Sequence, residues 1–218
     1  MEKLKFFKVS EAAIWPSRGT EQSAGMDFFV PDPTKVDDEL LVYMYKKVVS
    51  GNESMCDELN YLINQVNEGV ITIKDYFWRL LLEYNKEVFD NWPTSADVNN
   101  YTGEVYLLIH PNEHIVIPSG ITANIPHNKA IQLMNKSGIA TKKSLVVGAC
   151  LIDEDYTGII HYDMHNIGED PVIIKTGQKI TQGVLINTNL DVEIECKEGS
   201  NDKGQTERGA GGFGSTGV

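Results

Sequence analysis

Cysteine is scarce in this chain: Cys56, Cys150 and Cys196 are the only three among 218 residues, and they lie far apart. So few and so scattered, they exclude a disulfide framework and a cysteine-rich zinc site, and reduced thiols are expected. Long apolar runs are missing as well. No stretch approaches the roughly 18 residues a membrane-spanning helix needs, and Met1–Phe7 has no apolar signal core, so neither membrane insertion nor secretion is expected. The expected location is the cytoplasm, that of the host for a viral source. Basic residues are the third shortage: 19 Lys and Arg face 31 Asp and Glu, for a net charge of -12 and a pI near 4.8. Nucleic-acid polymers are bound by basic surfaces, so such a partner is excluded. A small anion held by a few local cations is not.

What is present is a 41% hydrophobic composition, enough for a real core in one large or two small domains. The most unusual stretch is the last eleven residues, Arg208–Val218, with five glycines, Ser215, Thr216, Arg208 and Phe213. Glycine amides approach anions closely, hydroxyls donate to phosphate oxygens, arginine forms a bidentate fork, and an aromatic ring stacks on a base. Two readings stand at this point. One is a Gly/Ser tail without structure, the other a grip for a nucleoside triphosphate.

Period-two patterning predicts strands over 3–9, 23–31 and a series from Glu104 onward: 104–110, 114–118, 129–134, 144–148, 158–165, 171–175, 180–185 and 192–195. Between Pro33 and Gly103 the period becomes helical. Leu40, Leu41, Met44 and Val48 form one stripe; Met55, Leu59, Leu62, Ile63 and Val66 a second; Ile73, Phe77, Leu80, Leu81, Tyr84 and Val88 a third. Ser54 with Asp57 and Thr72 with Asp75 stand at capping spacing, and Gly51 and Gly69 fall where helices end. Trp78 and Trp92 are expected to be packing residues. Residues 34–102 hold twelve acids and six bases, half of the net negative charge. The fold expected is mainly β, with a three-helix subdomain inserted over 33–103 whose outer face is acidic, and with a flexible C-terminal arm.

Several short clusters have the residue types of a phosphate-handling site. Asp27, flanked by Met26 and Phe28, needs partners if it is buried, and reads as a structural anchor. Lys136, Ser137 and Gly138 put a cation, a hydroxyl and free amides at a strand end, which is also the composition of an ordinary turn. Asp153 follows two apolar residues and opens the acidic run Asp153-Glu-Asp-Tyr156. It is the acid expected to be partly desolvated and poised as a general base, with a solvated hairpin tip as the alternative. Gly177–Gln182 supplies a turn and two amides, or a plain loop. The histidines His110, His114, His127, His161 and His165 do not form a helical metal pair, although His161 and His165 share one strand face.

Taken together, these clusters resemble the five ordered motifs of the trimeric dUTP diphosphatases (dUTPases). Ala24–Asp27, Lys136–Ala140, Ile152–Gly158, Gly177–Gln182 and Arg208–Gly217 resemble them in order. The resemblance covers 3–32 and 104–218 and implies a jelly-roll (β-clip) subunit over 1–32 and 104–205, a homotrimer with intersubunit sites, and an arm, 206–218, that closes over substrate. It implies hydrolysis of dUTP to dUMP and pyrophosphate, with Asp153 activating water and Mg2+ held through the substrate phosphates rather than by a protein cage. It further implies that Tyr156 packs under the deoxyribose and that Lys136, Ser137, Gly138 and Gln182 line the phosphates. Arg208, Gly214, Ser215 and Thr216 would hold the terminal phosphate, and Phe213 would cover the base. Three positions depart from the family pattern. Lys136 replaces an arginine and loses its planar fork. Val147 and Cys150 stand where the base-reading hairpin carries asparagine and glycine, with Gly148 between them. Base identity is therefore open at this level: another deoxypyrimidine triphosphate, or the dCTP deaminase chemistry of the same superfold, is an alternative, and a protein partner on the helical insert is a third.

Overall fold

The computed structural model describes residues 2–32, 34, 39–51, 55–88, 97–101 and 104–198. In chain order the described elements are β1 (Lys5–Lys8), β2 (Ser17–Arg18), β3 (Met26–Phe29), α1 (Glu39–Gly51), α2 (Met55–Asn67), α3 (Ile73–Val88), β4 (Asp97–Tyr101), β5 (Glu104–Ile109), β6 (His114–Pro118), β7 (Ile121–Asn124), β8 (Lys129–Asn135), α4 (Ser137–Lys143), β9 (Leu145–Val147), β10 (Leu151–Ile152), β11 (His161–Asn166), β12 (Val172–Ile174) and β13 (Lys179–Asn187). Every pairing is antiparallel. The sheets run β10-β8-β13-β3-β2, β6-β11-β9, β12-β5-β4 and β1-β7. This is the mainly β architecture that the strand rhythm predicts, since alternating side chains can bury one face of each short strand.

Alternation is visible in β11, where Tyr162, Met164 and Asn166 are buried and His161, Asp163 and His165 face the other way. The core joins both halves of the chain: Phe28 stands edge-on to Phe6 and Tyr162, each 5.9 Å away between ring centres. The helical stripes do what their spacing predicts. Leu40, Leu41, Met44, Val48, Leu59, Phe77, Leu80, Leu81 and Tyr84 are buried, and Trp78 packs on Phe77 at 4.8 Å. Thr72 Oγ1 accepts the Asp75 amide at 3.1 Å as an N-cap. At the end of α2, Gly69 takes φ +73°, its amide donates to Val66 and the Val70 amide to Gln65, a Schellman closure.

Ser54 and Trp92 lie outside the described residues. α3 ends at Val88, where the third stripe ends, and within the 33–103 stretch Asp97–Tyr101 is not helical but forms β4, paired with β5. Lys136-Ser-Gly is not a turn but the start of α4, with Lys136 at the N-cap position. Val192–Glu195, expected as a strand, is exposed irregular chain, with Ile194 88% exposed. Its alternation has no described strand to pair with, and an unpaired strand is not stable. By internal contacts the chain divides into Met1–Thr188 and Asn189–Val218. Of the second unit the described part is an exposed stretch with a Lys197–Glu195 ion pair at 2.9 Å. No described helix is long and apolar enough to cross a membrane.

Candidate active site

The five-stranded sheet brings three of the sequence clusters together. In register, Gln182 of β13 lies opposite Asp27 of β3 on one side and Met134 of β8 on the other. Asp27 is 6% exposed and pairs with Lys136 Nζ and, at 3.0 Å, with Lys179 Nζ. Burial pushes its carboxyl up, but the hydrogen bonds and charges of the two lysines outweigh that and hold it below the ordinary aspartate value. Lys136 is thus engaged by Asp27, while Ser137 and Gly138 stand exposed at the start of α4, with open space around Gly138. Gln182 Nε2 donates to the Asn135 carbonyl at 2.9 Å, and a side chain on Gly25 would have to displace the Gln182 amide from this place.

Asn135 is a residue to which the sequence assigned no role. Its side-chain oxygen accepts the Val147 amide at 2.7 Å, tying the 147–150 hairpin to the strand end that carries Lys136. Gly148 and Ala149 are exposed, and Cys150 is half-buried with its carbonyl accepting the Leu133 amide at 2.7 Å. The back of the hairpin rests on β11, where the Gly148 amide donates to the Asp163 carbonyl at 2.7 Å.

The acidic run leaves β10 as a tight loop. Asp153 is exposed, not partly desolvated as its apolar predecessors suggested, because Leu151 is exposed too and only Ile152 points inward. Glu154 is committed elsewhere: it accepts from His127 Nδ1 at 3.0 Å and from the Asn128 amide at 2.7 Å. The His127 bond, chiefly, holds its carboxyl below the usual glutamate value. The loop closes through the Tyr156 amide donating to the Asp153 carbonyl and the Tyr156 hydroxyl donating to the Ile159 carbonyl at 2.8 Å. Gly158 lies against the Tyr156 ring so closely that a Cβ there would collide with it. Tyr156 is 42% exposed and borders a cleft of about 410 Å³ whose other walls include Val9, Thr122 and, from α1, Leu40 and Tyr43.

Asp153 and the Asp27–Lys136–Gln182 group are held at opposite ends of β8. Ile152 pairs with Ile131, whereas Asn135 and Lys136 close the other end. Four steps of extended chain lead from Ile131 to Asn135, roughly 14 Å at strand rise. Arg208, Phe213, Gly214, Ser215 and Thr216 lie outside the described residues.

The histidines are arranged as spacing did not reveal. His165 of β11 pairs in register with His114 of β6, and both flank Asp163. His161, lower on the same strand face, meets Tyr84 of α3, with 3.1 Å between the hydroxyl and Nε2. Strand register creates the first of these neighbours, His114 and Asp163, 49 residues apart in sequence, and the packing of α3 on the sheet creates the second, Tyr84 and His161, 77 apart.

Comparison with known proteins bears on the family and the fold. The dUTPase family model matches residues 103–217. The deoxyuridine 5'-triphosphate nucleotidohydrolase of Chlamydia muridarum is 34% identical over 126 residues, 57% of this chain and 84% of that one. Its counterpart in Hydrogenobaculum is 38% identical over 115 residues, covering 51% and 76%. In fold, the dUTPase of Staphylococcus bacteriophage 80alpha, solved with dUPNHPP, superposes over 100% of both chains with a TM-score of 0.59 at 18% identity. A variant of the S. aureus phage phi11 dUTPase, solved with a structural Mg(II) ion, does so over 91% and 99% with a TM-score of 0.53 at 16% identity. With its motifs in order and its β fold shared, the chain belongs to the dUTPase family.

Proposed function

We propose that the chain hydrolyses dUTP to dUMP and pyrophosphate, as the names of its relatives state for them. The observation that carries this reading is the loop after β10, which presents an exposed Asp153 carboxylate and, three residues on, the braced Tyr156 ring that borders an open cleft. Asp153 takes the proton of the water that attacks the α-phosphorus, and the bond to the bridging oxygen breaks to release pyrophosphate. Tyr156 packs under the deoxyribose and leaves no room for a 2′-hydroxyl. Val147, Gly148 and Cys150 read the base through the hairpin that Asn135 tethers. Ser137, Gly138 and Gln182 line the phosphates, and Lys136 contributes charge from its place beside Asp27.

A hard divalent cation such as Mg2+ fits this chemistry, because it prefers oxygen ligands and is readily carried on a triphosphate; it neutralises charge developing on the phosphates. The protein donors near Asp153 suit a substrate-borne ion better than a cage, since Glu154 is already engaged by His127 and Asn128.

The assembly is a homotrimer. The roughly 14 Å from the Ile152–Ile131 pair to the Asn135 end of β8 supports a site completed across copies of the chain. In this reading 1–32 and 104–205 form the β domain, 33–103 the insertion, and 206–218 an arm whose Arg208, Phe213, Gly214, Ser215 and Thr216 close over the triphosphate and base. The acidic charge of the insertion and the 60% exposed Tyr61 on α2 support a protein partner on that face. Tyr61→Ala should weaken its capture.

Pyrophosphate release from dUTP with Mg2+ should be lost almost entirely in Asp153→Asn. Full activity in that variant would overturn the mechanism. A panel of dUTP, dCTP, dTTP and UTP reads the altered hairpin and the Tyr156 gate together, and ammonia release from dCTP would favour a deaminase instead. Truncation after Glu207 should leave a folded trimer that hydrolyses slowly.

A further inference from the structure

We propose that His114, Asp163 and His165 form a binding site for a divalent transition-metal ion of borderline softness, for which Zn2+ and Co2+ are suitable probes. The site is assembled by the β6–β11 ladder. His114 and His165 are direct register partners, so their side chains leave the same face, and Asp163, two residues before His165, shares that face. The Asp163 carboxylate lies between the two rings: Oδ1 is 2.9 Å from His114 Nδ1, and Oδ2 is 2.9 Å from His165 Nε2. One ligand atom from each residue falls within 4.8 Å of the other two.

The ligand edges of a tetrahedral zinc site with bonds near 2.1 Å are about 3.4 Å long. The cluster therefore needs a small expansion, in which the imidazoles, now stacked at 4.6 Å and 22°, rotate apart. Room for that exists, because the three side chains are only half-buried, with 25%, 18% and 39% of their surfaces exposed in the order His114, Asp163, His165. Gly148 packs beside them and adds no side chain. A Cβ there would collide with His165 Nε2 and Asp163 Oδ2. In the metal-bound form each ring would present the lone pair of one nitrogen to the ion.

The donor set selects the class of ion. Two imidazoles and one carboxylate suit Zn2+, Co2+ or Ni2+, whereas Mg2+ and Ca2+ demand an oxygen-rich shell. Three protein ligands with an exposed side also leave a fourth position for water. The site lies behind the 147–150 hairpin, whose Ala149 amide donates to Asp163 Oδ2 at 3.3 Å. It is distinct from the phosphate-borne Mg2+ of the proposed reaction.

The test uses the full chain, stripped with a chelator and titrated with Co2+ and Zn2+. The wild type should take up one ion per chain, give the visible absorption of tetrahedral Co2+, and keep it against millimolar Mg2+. His114→Gln and His165→Gln should each weaken binding by more than the roughly 10- to 100-fold typical of lost second-shell partners, and Cys150→Ser should bind normally. Ring 15N spectra of the wild type supply a readout that needs no variant: the resonances of His114 and His165 should shift with Zn2+. Absence of these shifts, a Co2+ spectrum of octahedral type, or unchanged affinity in both histidine variants would overturn the assignment. None of these measurements depends on turnover of dUTP, so failure here and failure of the proposed hydrolysis are separately visible.

Discussion

The side chain of Asn85 is hydrogen-bonded to both backbone polar groups of Val116: its oxygen accepts the Val116 amide at 2.8 Å, and its nitrogen donates to the Val116 carbonyl at 3.0 Å. Asn85, fully buried on α3, thus acts as one residue of a strand along the outer edge of β6, and also donates to the Leu81 carbonyl at 2.9 Å. The insertion is joined to the β domain by a backbone-like pairing as well as by apolar packing. An edge that would otherwise carry unpaired groups is covered.

Replacing Asn85 with leucine keeps the branched shape but strands two buried backbone groups. Each unsatisfied group costs about 1–3 kcal/mol, so Asn85→Leu should lose about 2–6 kcal/mol of unfolding free energy. Urea denaturation of wild type and variant measures this directly. A loss under half a kilocalorie would mean that Val116 is satisfied by water instead.

Tyr84 links the insertion to the loop of Tyr156. Its hydroxyl meets His161 Nε2, and His161 follows by two residues Ile159, whose carbonyl accepts the Tyr156 hydroxyl. Tyr84→Phe removes one bond worth roughly 1 kcal/mol. If that bond braces the loop, kcat/KM for dUTP should fall about fivefold while the melting temperature moves little. Steady-state pyrophosphate release with a parallel melt separates the two effects.

Asp27 makes stability acid-sensitive. Its folded carboxyl titrates below its ordinary value of 3.8, so the unfolded chain binds the proton first as pH falls. The contribution of its lysine pairs is therefore complete above the unfolded value and disappears as pH drops through the folded one. Asp27→Asn should cost about 1.5–3 kcal/mol at neutral pH, the range for hydrogen bonds to charged groups. The gap between wild type and variant should narrow below pH 3.8 in denaturant titrations run across pH.

Gly158→Ala places a methyl group against the Tyr156 ring and must displace it. The expected result is a folded protein whose preference for dUTP over UTP is reduced, because the ring under the sugar has moved. Ratios of kcat/KM for the two nucleotides measure it, and an unchanged ratio would argue that the ring does not gate the 2′ position.

Much was legible before any coordinates. Helix stripes and caps announced α1 to α3 because burial at 3.6-residue period is a local property, and Thr72, Asp75 and Gly69 act within a single turn. Turn chemistry at Gly177, with φ +73°, was equally local. Two-residue strands such as β10 were not legible, since two residues carry no period and exist only because β8 is there to pair with. The reading of Asp153 as desolvated failed for a related reason: apolar neighbours in sequence do not decide which way a loop faces.

The sequence by itself determined the chemistry available: the acidic loop, the glycines, the lysines and the motif order that marks the family. Tertiary structure alone decided which of these groups meet. Strand register joined Asp27 to Lys136 across 109 positions and gathered His114, Asp163 and His165 onto one face. It also set Asp153 at the opposite end of β8 from Lys136. The physical reason is that register is a long-range choice, made by the burial of whole faces at once, and a single-residue slip would turn each of these side chains to the other side.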